Sequence, residues 1–289
     1  MSTPIEPPKG DNVYFSDPES GAEMARLIDQ DHLINQGMGG LLSEQSNDLS
    51  GIRRILDMGC GPGGWALEMA FTHPEIEVIG FDISQAMIDY ARTRAQVLGL
   101  HNAHFHVMDM MQPLDFPDNY FDLVNGRFIL FIPADTIPKL LQECMRVVRP
   151  GGIIRLTESE WTAPSTSSAM EQLLGLIGRA MKRAGQSFSP SGNLVNITPM
   201  LRSFLRKAGC INIQHKAHVI DYSSGEPVHD AFCKDFTTVY QLMQPFMVGM
   251  GVATQEEVER LNRQMQVEML QDDFHAIMFI LTAWGEKPQ

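Results

Sequence analysis

The stretch Ile55-Leu56-Asp57-Met58-Gly59-Cys60-Gly61-Pro62-Gly63-Gly64 carries an apolar run into a turn dominated by glycine. Glycines let the backbone approach a ligand closely and take positive φ, and a helix starting after such a turn aims free N–H groups at it. Alone, Gly59-x-Gly61-x-x-Gly64 also fits a dinucleotide fingerprint, which is a weak signal. The acids around the turn narrow the chemistry. Asp57, two residues before the first glycine, would repel a pyrophosphate but suits a ligand end that carries an ammonium. Asp82, in Phe81-Asp82-Ile83, stands about 20 residues beyond the glycines, where a carboxylate accepts hydrogen bonds from both hydroxyls of a ribose. Asp109 lies between Met108 and Met110: either an acceptor for an exocyclic amine between two soft faces that sandwich a purine, or an acid flanked by ordinary core methionines. Cys60 reads as a small residue inside the turn.

Other titratable groups invite an acceptor site. Glu158 and Glu160 end an apolar run on one face of it, and Glu158 reads as an acceptor ligand or general base. Asp31 falls on the apolar stripe of a helix that Met24, Leu27, Ile28 and Ile34 define, so its carboxylate needs either an arginine partner or a catalytic task. Arg127 reads as a structural ion-pair partner or a substrate contact. His101, His104 and His106 lack carboxylates or cysteines at ligand spacing, so no metal site is expected. Neither a Gly-x-Ser-x-Gly elbow nor a Walker lysine is present.

The elements that must position these groups follow from periodicity. From Arg54 to Ser159 short apolar runs alternate with helical stretches, as in parallel strands joined by crossover helices. Strands are predicted near Arg54 to Met58, Glu77 to Asp82, Ala103 to Met108, Phe121 to Gly126 and Gly152 to Glu158, with Pro150-Gly151-Gly152 as a turn before the last. Helices fall at Trp65 to Phe71, Gln85 to Leu98 and Ile137 to Val148. An earlier helix opens at Asp17-Pro18-Glu19 and ends at Gly37-Met38-Gly39-Gly40. Later come helices over Ser167 to Ala184 and Pro199 to Ala208, strands over Ile211 to Asp221 and Ala276 to Ala283, and a largely helical stretch from Val228 to Asp273. Within it, Thr254-Gln255-Glu256-Glu257 is a capping box. The prediction is an α/β fold: a doubly wound, mostly parallel sheet with helical additions that reach the carboxyl ends of the strands, where such sheets bind ligands.

Composition bounds the partners. Of 289 residues, 22 are Lys or Arg and 35 Asp or Glu, and the net charge of −13 disfavours nucleic acid, whose phosphates demand clustered cations. The four cysteines form neither Cys-x-x-Cys nor a dense framework, which predicts a reducing cytoplasmic setting. No signal peptide is visible, and the longest apolar stretch, Ala276 to Trp284, is short of the roughly 20 residues of a membrane span. Methionine is in excess, with 19 residues, either lining a deformable acceptor pocket or simply filling the core. A homo-oligomer stays open.

Between Arg54 and Glu158 the motifs, in order, resemble the class I S-adenosylmethionine-dependent methyltransferases, in the small-molecule branch of ubiquinone and menaquinone type. The resemblance implies a seven-stranded Rossmann-like sheet with an antiparallel last strand and S-adenosyl-L-methionine as cofactor. It places Asp57, Gly59, Cys60 and Gly61 around the methionine part, Asp82 and Ile83 at the ribose, and Met108, Asp109 and Met110 at the adenine. Asn125 in the fourth strand also belongs to the cofactor side, and Tyr14 either closes over the cofactor or is a surface tyrosine. The domains expected are a helical lid over residues 1–50, a cofactor core over 51–160, a lid insertion over 161–198, and the rest of the sheet over 199–289 with an insertion at 224–273. After the fourth strand, Asn125-Gly126-Arg127-Phe128 replaces the Asn/Asp-Pro-Pro-Tyr of enzymes acting on base or glutamine amino groups. A small, apolar acceptor is therefore expected, methylated at O, N or C, with Glu158 and Asp31 as candidate catalytic groups. An NAD-dependent oxidoreductase and a non-catalytic S-adenosylmethionine-binding protein are the alternatives.

Overall fold

The computed structural model describes residues 19–44, 49–160 and 164–289. In chain order its elements are α1 (Gly21–Gly37), β1 (Arg54–Met58), α2 (Gly64–Thr72), β2 (Glu77–Asp82), α3 (Gln85–Val97), β3 (Ala103–Val107), β4 (Phe121–Arg127), α4 (Ile137–Val147), β5 (Val148–Ser159), α5 (Ser168–Arg183), α6 (Leu201–Ala208), β6 (Ile211–Asp221), α7 (His229–Leu242), α8 (Gln244–Gly249), α9 (Gln255–Met269) and β7 (Ile277–Glu286). The strands form one seven-stranded sheet in the order β3-β2-β1-β4-β5-β7-β6. β7 runs antiparallel to both neighbours and every other pairing is parallel. The order reverses between β1 and β4, so a crevice opens at their carboxyl ends, the place where doubly wound sheets bind ligands.

Burial on both faces explains why β1, β2, β4 and the second half of β5 read as nearly continuous apolar runs, whereas the edge strands β3 and β6 are largely exposed. Leu56, Met58, Val124, Ile154 and Leu156 join the larger core with α4 and α5, while Ile55, Val78, Phe105 and Leu123 pack with α2 and α3. One row breaks the pattern. Asp57, Asn125 and Arg155 are register partners on neighbouring strands and all are buried.

Several boundaries differ from the sequence reading for identifiable reasons. α1 is capped by Ser20, whose side chain accepts the Glu23 N–H at 3.4 Å; Asp17 and Pro18 lie outside the described residues. β5 starts before Pro150-Gly151-Gly152, because Phe121 pairs with Val148 and the register then jumps to Leu123 with Ile153, making the glycines a bulge rather than a turn. Of the box read at Thr254 the N-cap half forms, the Thr254 side chain accepting the Glu257 N–H at 3.2 Å. The methionines of α5, α8 and α9 are core: Met170, Met181, Met247 and Met265, together with Met243 just before α8, are completely buried.

The largest departure is in α1. Its apolar stripe of Met24, Leu27 and Ile28 is half-exposed, and the buried positions include Glu23 and Arg26. Arg26 donates to Glu23 at 2.8 and 2.7 Å and to Asp235 of α7 at 3.0 Å, and Gln30 donates to Asp235 at 3.2 Å. This buried triad ties α1 to α7 and turns the half-exposed stripe toward the glycine turn, where Leu27 approaches Gly61. Removing the cation of such a group leaves buried carboxylates uncompensated. Arg26→Ala is expected to destabilise the fold by about 3–5 kcal/mol in urea unfolding, and a loss within experimental error would mean that the triad contributes nothing net.

Candidate active site

Each predicted cofactor residue within the described chain lies along the carboxyl edge of β1, β2, β3 and β4. Gly59, Gly61 and Gly63 have φ of +60°, +52° and +83°. At Gly63, the N-cap of α2, a Cβ would sit 2.9 Å from both Ala91 Cβ and Phe105 Cε1, so positive φ and lack of space both demand glycine. Gly59 is flanked by the Met110 methyl and the Ile129 side chain. The Cys60 N–H donates to the Phe81 carbonyl at 2.9 Å and its thiol packs against Gly80, where burial pushes its pKa well up. It is a small packed residue.

Asp57 is buried at the foot of the turn, and its Oδ1 accepts from Asn125 Nδ2 at 2.7 Å. Burial pushes its pKa up to about 7, against the pull of the Asn125 hydrogen bond and the Arg155 charge. Asn125 is fully enclosed, because its Oδ1 also accepts from Arg155 Nη1 at 2.6 Å. Asn125 thus meets Asp57 and Arg155 rather than open space. Asp82 joins the end of β2 to the turn: Oδ2 accepts the Gly61 N–H at 3.0 Å and Oδ1 the Ser84 N–H at 2.9 Å. Burial raises its pKa against the pull of the backbone N–H groups of Ser84, Gly61 and Ile83, and the carboxylate still has acceptor capacity for a hydroxyl. Ile83 beside it is 46% exposed, which leaves its side chain available to a ligand face. Met108 donates its N–H to the Asp82 carbonyl at 2.9 Å, and Asp109 caps its own turn by accepting the Met111 N–H at 2.8 Å. Met108, Asp109 and Met110 are all half-buried. Tyr14 lies outside the described residues.

On the acceptor side, Asp31 forms an ion pair with Arg127 and rests against Gly64. Arg127 Nη1 also donates to Asn35 Oδ1 at 2.5 Å, and Asn35 Nδ2 donates to Glu68 Oε2 at 2.7 Å, so α1, α2 and β4 share one network. Burial lowers the Arg127 pKa to about 9, which leaves the guanidinium charged at neutral pH. The arginine partner required for Asp31 is thus present. Glu158 is completely buried; its Oε1 accepts the N–H groups of Ile129 and Leu130 at 3.0 and 2.9 Å, and its Oε2 has no partner. Burial pushes its pKa up to about 8, with the Glu160 charge adding to the shift. Glu160 Oε1 accepts the Thr198 N–H and hydroxyl at 2.6 and 2.5 Å.

Sequence reasoning missed Arg155 and its partner Glu44, which accepts from Arg155 at 2.5 and 3.2 Å. The available signal was a lone charge in Ile153-Ile154-Arg155-Leu156, a run otherwise apolar enough for burial on both faces. Among the described residues no three His, Cys, Asp or Glu side chains converge as metal ligands, and no helix is long and apolar enough to cross a membrane.

The residues present fit S-adenosyl-L-methionine. Two carboxylates, the buried Asp57 at the foot and the half-buried Asp82 at the flank of a turn with left-handed glycines, suit an ammonium and a diol and oppose a pyrophosphate. Residues 55–152 match the family described as "Methyltransferase domain". Demethylmenaquinone methyltransferase of Geobacillus kaustophilus is 30% identical over 178 residues, spanning 57% of this chain and 74% of that protein. Methyltransferase pytC of Aspergillus terreus is 26% identical over 289 residues, spanning 94% and 82%. Among solved structures, phosphoethanolamine N-methyltransferase 2 of Haemonchus contortus with S-adenosyl-L-methionine shares the fold, with a TM-score of 0.53, 20% identity, and coverage of 96% of this chain and 61% of that one. The chain belongs to the class I S-adenosylmethionine-dependent methyltransferases. It is a methyltransferase enzyme whose cofactor is S-adenosyl-L-methionine.

If Asp82 holds the ribose, Asp82→Ala should weaken S-adenosylhomocysteine binding by about 2–3 kcal/mol in calorimetry, the scale of charged hydrogen bonds to two hydroxyls. Unchanged affinity would remove Asp82 from the cofactor site.

Proposed function

We propose that this methyltransferase acts on a small, mostly apolar metabolite that gives up a proton as it is methylated at O, N or C. The acceptor lies beneath helical lids to which α1, α5, α7, α8 and α9 belong, over the cofactor core of residues 51–160. The net charge of −13 supports a small molecule over a polyanion. The names of relatives point in two directions, demethylmenaquinone in one case and phosphoethanolamine in another. The four free cysteines suit a reducing, cytoplasmic compartment.

Glu158 carries the reading. Its backbone donors belong to Ile129 and Leu130, and the Ile129 side chain lies against Gly59, so the carboxyl sits one residue behind the cofactor turn. The bound cofactor supplies a methyl group on positively charged sulfur, already activated for displacement, so positioning of the acceptor provides much of the rate. The two N–H donors fix Oε1, which leaves Oε2 to exchange a proton with the acceptor. With a pKa of about 8, only about one carboxyl in ten is ionised at pH 7. Below the pKa, Oε2 carries a proton and can only donate; above it, the carboxylate accepts a proton from the acceptor. Asp31, paired with Arg127, orients α1 over the turn.

The expected activity therefore rises with pH: kcat/KM climbs through about pH 8 and levels off above it. With cofactor saturating at every pH, Glu158→Gln should lower kcat/KM for the acceptor by about a hundredfold and flatten the profile, while S-adenosylhomocysteine binding stays intact. Methyl-labelled cofactor should be tested against phenols, hydroquinones, aliphatic amines and phosphoethanolamine. Preferred turnover of phosphoethanolamine would reject the apolar acceptor, and a native pH profile in Glu158→Gln would reject the base.

A further inference from the structure

Arg155 is the largest completely buried charged side chain of the sheet, in the middle of a strand with parallel and antiparallel neighbours. A buried guanidinium is expensive, and replacement of such ion pairs by apolar residues is often neutral or stabilising, so its presence calls for a task. Its contacts form a single line. Glu44, in the segment after α1, accepts from Arg155 Nε and Nη2 at 2.5 and 3.2 Å; Arg155 Nη1 donates to Asn125 Oδ1 at 2.6 Å; Asn125 Nδ2 donates to Asp57 Oδ1 at 2.7 Å. Because the asparagine accepts from a cation on one side and donates to a carboxylate on the other, its amide orientation is set. The three core residues are register partners across β1, β4 and β5, so no side chain can turn without breaking the row.

We propose that Arg155 is a positioning residue for cofactor binding: acting through Asn125, it keeps Asp57 ionised and fixed at the foot of the glycine turn, while Glu44 clamps Arg155. The inference rests on the reading that Asp57 meets the ammonium end of the cofactor. An ionised Asp57 attracts that ammonium, whereas a protonated one offers no charge. Asp57 titrates near neutrality, up to about 7, so Arg155 acts where a modest field decides the charge. The other titratable groups that bear on the row are Asp82 on β2, which raises Asp57, the Cys60 thiol in the turn, Arg127 on β4, whose charge opposes that of Arg155, and His218 on β6, which feels both Glu44 and Arg155. Lys216 donates to the Ser43 carbonyl at 2.8 Å and Trp65 to the Leu41 carbonyl at 3.3 Å, so the segment bearing Glu44 is itself held down.

The test is calorimetric binding of S-adenosylhomocysteine across roughly pH 5.5 to 8.5, the range bracketing an Asp57 pKa raised by burial, with thermal unfolding alongside. The native protein should bind more tightly as pH rises through the Asp57 midpoint. Arg155→Met removes the charge and keeps an unbranched apolar stem, and should move that midpoint up by about one pH unit, an approximately tenfold loss below it that is recovered above it. Arg155→Lys should restore most of the native profile. Glu44→Gln removes the opposing charge and should move the midpoint down; it also carries the test if Arg155→Met does not fold. A uniform loss of affinity at every pH in Arg155→Met, or an unmoved midpoint in Glu44→Gln, overturns the proposal. Asp57→Asn separates the two levels. If it binds as tightly as the native protein, the reading of Asp57 fails; if it binds weakly with a flat profile while the Arg155 and Glu44 variants keep native midpoints, only the positioning role fails.

Discussion

A charge buried at the centre of a mostly parallel sheet must be compensated by other groups that have also left water. Here the guanidinium of Arg155 draws Glu44 inward on one side and, through Asn125, meets Asp57 on the other. The row fixes the relative register of β1, β4 and β5, because a slip by one residue would leave a charge facing hydrocarbon. It also ends at the glycine turn. The most costly interaction in the sheet and the most conformationally demanding loop therefore share a single aspartate.

A second set of buried charges serves the opposite side of the crevice. Arg26 gathers Glu23 and Asp235, and Arg127 gathers Asp31 and Asn35, so α1 is held to α7 and to β4 at separate points along its length. Both networks spend polar groups of α1 on its neighbours and leave an apolar stripe, including Leu27, facing the turn. A helix that pairs Asp31 and Asn35 with Arg127 while it presents Leu27 to the turn suits a cover over a ligand that is charged at one end and apolar elsewhere.

What could be read from the sequence and what could not divide along a physical line. Strands β1, β2 and β6, the glycine turn, the acid at the end of β2 and the box at Thr254 depend on residues close together in the chain. Periodicity and spacing reveal such features directly. Arg26 with Asp235, Arg155 with Glu44, and Arg127 with Asp31 are pairs separated by 209, 111 and 96 positions. No local pattern marks which arginine meets which acid. The need for a partner at Asp31 was legible from its place on an apolar stripe, whereas burial of Glu23 and Arg26 contradicted that same stripe, because α1 packs its charged flank inward. The bulge at Gly151 escaped for a related reason: its register jump is a property of two strands, not one.

The position of β7 has a consequence for the order of assembly. It lies between β5 and β6 in space but follows both in sequence. During synthesis β6 emerges with no partner, and its long hydrogen-bonding edge stays open until Ile277–Glu286 has left the ribosome and inserted between the two strands. The cofactor half, β1 to β5, is complete long before then. The nascent enzyme thus passes through a stage with a finished cofactor cradle and an unpaired edge strand, during which chaperones or a neighbouring nascent chain can compete for β6.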